Sequence, residues 1–266
     1  MLQQTQVGRV LVKYPLFLKR FPTLEKLARA RSGEVIRSWQ GMGYNNRVIR
    51  LRELSRRVVI DLDGRMPESV AELEKLPGIG RYTAHAMACF AFRKPVPVVD
   101  TNVARVLSRL FPDKLKHNRP GVRNSKIAWD LAEGILPRSR AYDWNQALMD
   151  FGAQICTAAA PECGMCPINA LCPSAHRPPR PTHSISTREP GRDGVPNRIY
   201  RGRVVEVLRS LKPRQQIRAS KLGRQIRQGF DGKDSRWFAR VLKGLERDGL
   251  VELTKNGSAI NVGLPE

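Results

Sequence analysis

Cys156, Cys163, Cys166 and Cys172 stand in the pattern Cys-x6-Cys-x2-Cys-x5-Cys, four thiols within seventeen residues. Thiolates packed this closely can close around one small inorganic centre, and their softness selects Zn or an iron-sulfur cluster over hard cations. Disulfides are the competing chemistry. They are disfavoured because the rest of the chain holds one further cysteine, Cys89, and no secretory signal opens the sequence. Structural zinc sites usually pair two short Cys-x2-4-Cys knuckles, and this run contains one, so a [4Fe-4S] cluster is expected ahead of Zn.

A second constellation lies upstream. Leu76-Pro77-Gly78-Ile79-Gly80-Arg81-Tyr82 falls between two helical patterns, 69–75 and 81–92. Gly78 and Gly80 open backbone conformations closed to other residues, so main-chain N–H groups at the start of the second helix can approach a phosphate. Such a helix-hairpin-helix grips a nucleic-acid backbone without reading its sequence. An ordinary helix connection punctuated by Gly and Pro is the bland alternative. Asp100 then ends the apolar run Val98-Val99 and opens the helical stretch from Thr101. Its position suits an N-cap. A carboxylate there also suits glycosidic bond cleavage, because it stabilises an oxocarbenium-like sugar or activates water, and both roles can coexist.

The elements that must position these residues are mostly helical. Apolar residues recur at helical spacing through Leu24, Leu27, Ala28, then Val35, Ile36, Trp39, and again Trp129, Leu131, Ala132, Ile135. Residues 173–198 hold six prolines among Arg, Ser and Gly, a composition that cannot build a core. From Ile199 three helical patterns return, followed by two short apolar runs around Lys255-Asn256-Gly257-Ser258, a strong hairpin signal. Three helices and a hairpin predict a winged helix-turn-helix, with Arg236 and Arg240 on its recognition helix as DNA contacts. The predicted organisation is therefore a cluster-bearing helical domain over 1–175, a Pro/Arg-rich linker over 176–198 and a small winged-helix-like α+β domain over 199–266.

Charge names the class of partner. Lys and Arg number 47 against 24 Asp and Glu, a net charge of +23 and a pI near 10.7. Residues 1–172 carry 27 basic and 15 acidic side chains and residues 199–266 carry 15 and 7, so both regions are basic. A polyanion is the expected partner. No apolar run approaches a membrane-spanning length and the basic residues are spread along the chain, which favours nucleic acid over a membrane surface. Reduced cysteines place the expected compartment in a prokaryotic cytoplasm, at the nucleoid.

Hairpin, downstream Asp and four-cysteine loop, in this order and at these distances, resemble the helix-hairpin-helix DNA glycosylase superfamily that carries a [4Fe-4S] cluster. Within it, Met1-Leu2-Gln3-Gln4-Thr5-Gln6-Val7, Trp39-Gln40-Gly41-Met42-Gly43-Tyr44 and Asn145 to Gly152 are similar to adenine DNA glycosylases of the MutY family. The resemblance spans residues 1 to about 175. It implies a monomer that acts on double-stranded DNA carrying a mismatch or an oxidised base, and removes adenine opposite 8-oxoguanine or guanine. Asp100 would stabilise the oxocarbenium ion, Tyr82 would assist at the sugar and Asn102 would orient the site. Gln3, Gln4, Thr5, Met42 and Tyr44 would line the DNA at the lesion, Leu76, Gly78, Gly80 and Arg81 would hold its backbone, and the four cysteines would ligate the cluster.

Position 82 bears on mechanism. Bifunctional relatives place a Lys there as a Schiff-base nucleophile; this chain has Tyr82, which implies base removal without strand cleavage. A thymine or uracil mismatch glycosylase of the same superfamily shares that Tyr and is the rival specificity. A damage-binding protein without catalysis is the rival class, since the family's leaving-group acid, a Glu, would lie two residues ahead of Met1. Codons upstream of the first are expected to supply it. Nothing in 199–266 resembles the Nudix-like domain of the best-known adenine glycosylases.

Overall fold

The computed structural model describes residues 1–2, 5–115, 125–177, 189–257 and 259–266. Four helices come first, α1 (Val7–Arg20), α2 (Leu24–Arg29), α3 (Ser32–Ser38) and α4 (Asn46–Asp61). They are followed by α5 (Val70–Leu73), α6 (Arg81–Phe90), α7 (Thr101–Leu110), α8 (Lys126–Gly134) and α9 (Ala141–Gln154). A short ribbon, β1 (Gly191–Arg192) and β2 (Val195–Pro196), leads into α10 (Asn197–Ser210), β3 (Ile217–Arg218), α11 (Ala219–Ile226) and α12 (Ser235–Arg247). The hairpin β4 (Glu252–Asn256) and β5 (Ala259–Gly263) ends the fold. Among the described residues no helix is long and apolar enough to cross a membrane.

Packing divides the chain into two compact units, Met1–Met66 with Thr187–Glu266, and Pro67–Ser186. In the first unit the early helices and the C-terminal elements share one apolar core. Phe17 stacks between Phe21 and Trp39, with ring centroids at 5.1 and 5.8 Å, and Val35, Ile36 and Val48 are fully buried beside them. Val204, Leu208, Leu222, Phe238, Leu242 and Leu245 belong to the same cluster. Each such side chain removed from water contributes about 1.5–3 kcal/mol, so this seam is a major source of the unit's cohesion. Polar contacts fix its register. The Gly33 N–H donates to the Pro265 carbonyl at 2.7 Å, and a Cβ on Gly33 would stand 2.8 Å from that oxygen, so only glycine fits.

The C-terminal elements follow the order helix, strand, helix, helix, hairpin. β4 and β5 pair antiparallel, closing at Asn256 opposite Ala259, with Gly257 at φ +59. The hairpin forms where the Asn-Gly signal predicts one, with Asn256 still in the ladder and Gly257 the first residue of the turn. β3 adds a third strand in the order β3-β5-β4, through Ile217 opposite Val262 and Arg218 opposite Asn261. Two residues are too short a run for alternation to reveal.

The second unit centres on α7. Val103, Ala104 and Leu107 of α7 pack with Ala128, Trp129 and Ala132 of α8, while Val99 precedes the helix in the same core. The segment ahead of α7 is extended but joins no sheet.

Candidate active site and cysteine loop

The hairpin is built from local signals. Ser69 caps α5 by accepting the Glu72 N–H at 3.3 Å, and Leu73 and Leu76 turn inward. Ile79 N–H closes the turn onto the Leu76 carbonyl at 3.1 Å while Gly78 takes φ +78, a left-handed conformation that favours glycine. Gly80 starts α6 without a side-chain cap, and the helix dipole favours an anion there. Arg81 is exposed and lies over the Trp129 ring, 4.2 Å from its centroid. Leu76 is itself buried; its place under the turn leaves the main chain, not its side chain, to face a ligand.

Asp100 is the N-cap of α7, its Oδ1 accepting the Val103 N–H at 2.7 Å. It is part-exposed, and its main-chain carbonyl accepts the Ala104 N–H at 3.0 Å. Tyr82, half-buried on α6, feels it directly: burial and then the Asp100 charge push the phenol's pKa up, so Tyr82 stays protonated beside the carboxylate. Asn102 sits on the first turn of α7. Its Oδ1 accepts from Arg105 Nη2 at 3.0 Å, and α9 comes so close that a Cβ on Gly152 would stand 2.8 Å from Asn102 Cβ. The structure thus brings Asp100, Tyr82, Asn102 and the hairpin into one unit.

Asn145, on α9, sets the strand-like approach to Asp100. Its Oδ1 accepts the Val98 N–H at 2.8 Å, and its Nδ2 donates to the carbonyls of Val96 at 3.0 Å and Ala141 at 2.8 Å. The side chain is 2 % exposed, so no bulk water replaces these bonds. Asn145→Ala is expected to destabilise the protein by about 2–3 kcal/mol, the cost of stranding buried main-chain groups. The midpoint of urea unfolding measures it, and a change within about 0.5 kcal/mol would show the segment to be held otherwise.

The four cysteines line a single cavity of about 360 Å³, walled also by Val106, Leu110, Phe151, Ile155 and Ile168. Among the described residues no group of three or more His, Cys, Asp or Glu closes on a single metal ion. Arg109, 6 % exposed, donates from Nη1 to Cys156 Sγ at 3.1 Å and to the carbonyls of Cys156 at 3.1 Å and Thr157 at 2.8 Å. Arg105 Nε donates to the Cys156 carbonyl at 2.9 Å. One helix therefore carries Asp100 at its start and two cations that hold the cysteine loop. Neither these arginines nor Asn145 stands out in the sequence as a site residue. The signal available was Arg at i and i+4 on a helix otherwise packed with Val, Ala and Leu, where an unpaired cation would be costly.

The remaining candidates lie elsewhere. Thr5 donates from Oγ1 to the Met42 carbonyl at 3.2 Å and accepts from Arg47 Nη1 at 3.1 Å. Met42 is 2 % exposed and packs in the core, where the sequence led us to expect a side chain facing DNA; the same loop instead presents Tyr44, 56 % exposed. Gly41, Gly43 and Tyr44 take φ +82, +68 and +43, and this left-handed run turns the tyrosine outward. These residues belong to the first unit, as do Arg236 and Arg240, both exposed on α12. Gln3 and Gln4 lie outside the described residues.

Comparison with known proteins agrees with this geometry. Residues 1–126 match the family model of the HhH-GPD superfamily base excision DNA repair protein. An adenine DNA glycosylase of Mycolicibacterium smegmatis is 37 % identical over 262 residues, covering 97 % of this chain and 83 % of the relative. One from Mycobacterium tuberculosis is 39 % identical over 213 residues, 79 % of this chain and 68 % of the relative. The solved structure of a thermostable thymine-DNA glycosylase superposes with a TM-score of 0.58 at 33 % identity, covering 65 % of this chain and 78 % of that one. On identity and coverage together, the chain belongs to the adenine DNA glycosylase family of the HhH-GPD base excision repair superfamily.

Proposed function

We propose that this protein hydrolyses the N-glycosidic bond of adenine opposite 8-oxoguanine or guanine in duplex DNA, without cutting the strand. The observation that carries the reading is a helix-capping, part-exposed Asp100 carboxylate whose charge reaches a neutral Tyr82. The glycosidic bond breaks with its electron pair leaving on the base, which takes up a proton from water, and the deoxyribose becomes oxocarbenium-like. Asp100 stabilises that cation and takes the proton of the water that adds to it. Tyr82 offers a protonated hydroxyl beside the same centre, and Asn102, braced by Arg105, keeps the first turn of α7 in place. The base must leave the stack to reach these groups. An exposed aromatic such as Tyr44 can fill a gap in a base stack, and the glycine turn of the hairpin suits a phosphate.

The cysteine donor set and its cavity fit a [4Fe-4S] cluster held by Cys156, Cys163, Cys166 and Cys172. When bound, the cluster supplies a compact, redox-capable core to the loop. Arg109 supplies an N–H to the Cys156 sulfur whether or not electrons move.

Duplex carrying adenine opposite 8-oxoguanine is expected to break only after alkali, with no borohydride-trapped adduct, because position 82 offers no amine. A trapped adduct overturns the hydrolytic reading. The likeness to a thymine-DNA glycosylase structure supports one other specificity. Release of thymine opposite guanine, with adenine untouched, establishes it.

A further inference from the structure

We propose that the solvent face of α12 is a duplex-DNA surface in its own right, additional to the hairpin, holding the phosphate backbone through Arg236, Arg240, Lys243 and Arg247. The proposal rests on the DNA-directed reading above only for the identity of the polyanion. The four cations stand at i, i+4, i+7 and i+11, so they form one stripe roughly 16 Å long. All four are exposed, and the opposite face, Trp237, Phe238, Val241, Leu242 and Leu245, is buried. The stripe runs along the second helix of a helix-turn-helix, the element that in this arrangement enters a groove about 12 Å wide.

Ion pairing divides the cations of this unit, and the exposed Arg218, Lys221 and Arg224 fall on the same side as the four on α12. Arg192, Arg198, Arg201, Arg209, Arg214 and Arg227 of the same unit each pair with a carboxylate. Among the described residues none of the four on α12 does. Like charges at i, i+4 repel by about 0.2–0.5 kcal/mol per pair, and an anion lying along the stripe relieves the repulsion. The helix is also anchored to present it. Asp234, 1 % exposed, takes Arg192 and Arg227 at 2.8 Å each, and Asp231 forms a capping box on the short turn Gly232–Asp234 that leads into the helix. Beyond the far end of the helix, Gly249 stands against Ile49 of α4, where a Cβ would be 3.4 Å from the Ile49 side chain.

The grip is tied to the lesion-facing loop of the same unit. Arg209 of α10 donates from Nε to the Ile36 carbonyl at 3.0 Å and from Nη2 to Asn45 Oδ1 at 2.8 Å, next to Tyr44. At the other side of the fold, the hairpin tip exposes Lys255 and Asn256 as a wing.

The test is affinity for an undamaged duplex across a salt series, where no base removal enters. The variant replaces all four cations by Ala, which keeps helix propensity high, and circular dichroism verifies its fold. A control variant removes four exposed cations from α2 and α4, Lys26, Arg29, Arg50 and Arg56, for the same net charge. The α12 variant is expected to bind at least about tenfold more weakly at low salt. Its slope of log K against log salt should flatten by about 0.9 for each phosphate no longer neutralised, roughly two to four units in all. The control should shift affinity by less than about threefold. Equal losses in both variants would show only the pull of a basic chain, and no loss in the α12 variant would leave this face to another partner; either result overturns the proposal. A protein that fails to release adenine yet shows the α12 effect loses the proposed function and keeps this surface.

Discussion

Asp100→Asn is expected to lower single-turnover excision by a factor on the order of 10³ or more while leaving stability and duplex affinity nearly unchanged. The asymmetry follows from the two roles of one side chain. As an N-cap, Asn accepts the Val103 N–H as well as Asp does, so α7 keeps its start. As a charge, it is lost entirely, and the charge matters in proportion to the positive charge on the sugar, which peaks in the transition state. Asp100→Ala should add about 1 kcal/mol of destabilisation from the lost cap. If the Asn variant excises at the parent rate, the residue is a cap alone and the proposed chemistry fails. A second signature is available in Tyr82, whose phenol is held protonated partly by the Asp100 charge. Neutralising Asp100 should move the tyrosine's ultraviolet titration toward lower pH, independently of activity.

What the sequence disclosed, it disclosed through local constraints. Gly78 and Gly80 mark the hairpin because a left-handed turn and an uncapped helix start are decided by a few adjacent residues. Asn256-Gly257 marks the wing for the same reason. The cysteine spacing marks the one cavity that all four thiols line, because four thiols so close in sequence stay close in space. Packing between distant segments is a different matter. Val35, Ile36 and Trp39 read as a helical apolar face from their periodicity, but nothing local says that Val204, Leu208 and Leu242 share their core. Periodicity gives a face, not its partner. Arg209 reads as one more surface cation in a chain of +23, yet it lies 6 % exposed between Glu206, Asn45 and the Ile36 carbonyl. Asn145 illustrates the same limit on the catalytic side. An amide on a helix is ordinary, and two of its three main-chain bonds exist only once α9 lies beside residues 96–98.

Cys163→Ser is expected to abolish iron binding and to loosen the loop from Cys156 to Cys172, with a stability loss of about 3–5 kcal/mol in the second unit, the scale of a buried charge deprived of its partners. The size follows from what the loop does for α7. Arg109 is almost fully buried, and among the described residues its acceptors are the Cys156 sulfur and the carbonyls of Cys156, Thr157 and Ala158. A loop that no longer holds its shape leaves that guanidinium desolvated and unpaired, which costs far more than breaking a surface ion pair. Arg105 loses its bond to the Cys156 carbonyl at the same time, and with it part of the brace on Asn102. The parent protein purified without air should carry about four irons per chain. The variant should be colourless, cleaved by thermolysin within the loop, and lower in its urea midpoint. Stoichiometric Zn in the parent would replace the cluster with a simple thiolate site, while equal stability of parent and variant would mean that Arg109 finds its partners without the loop's inorganic core.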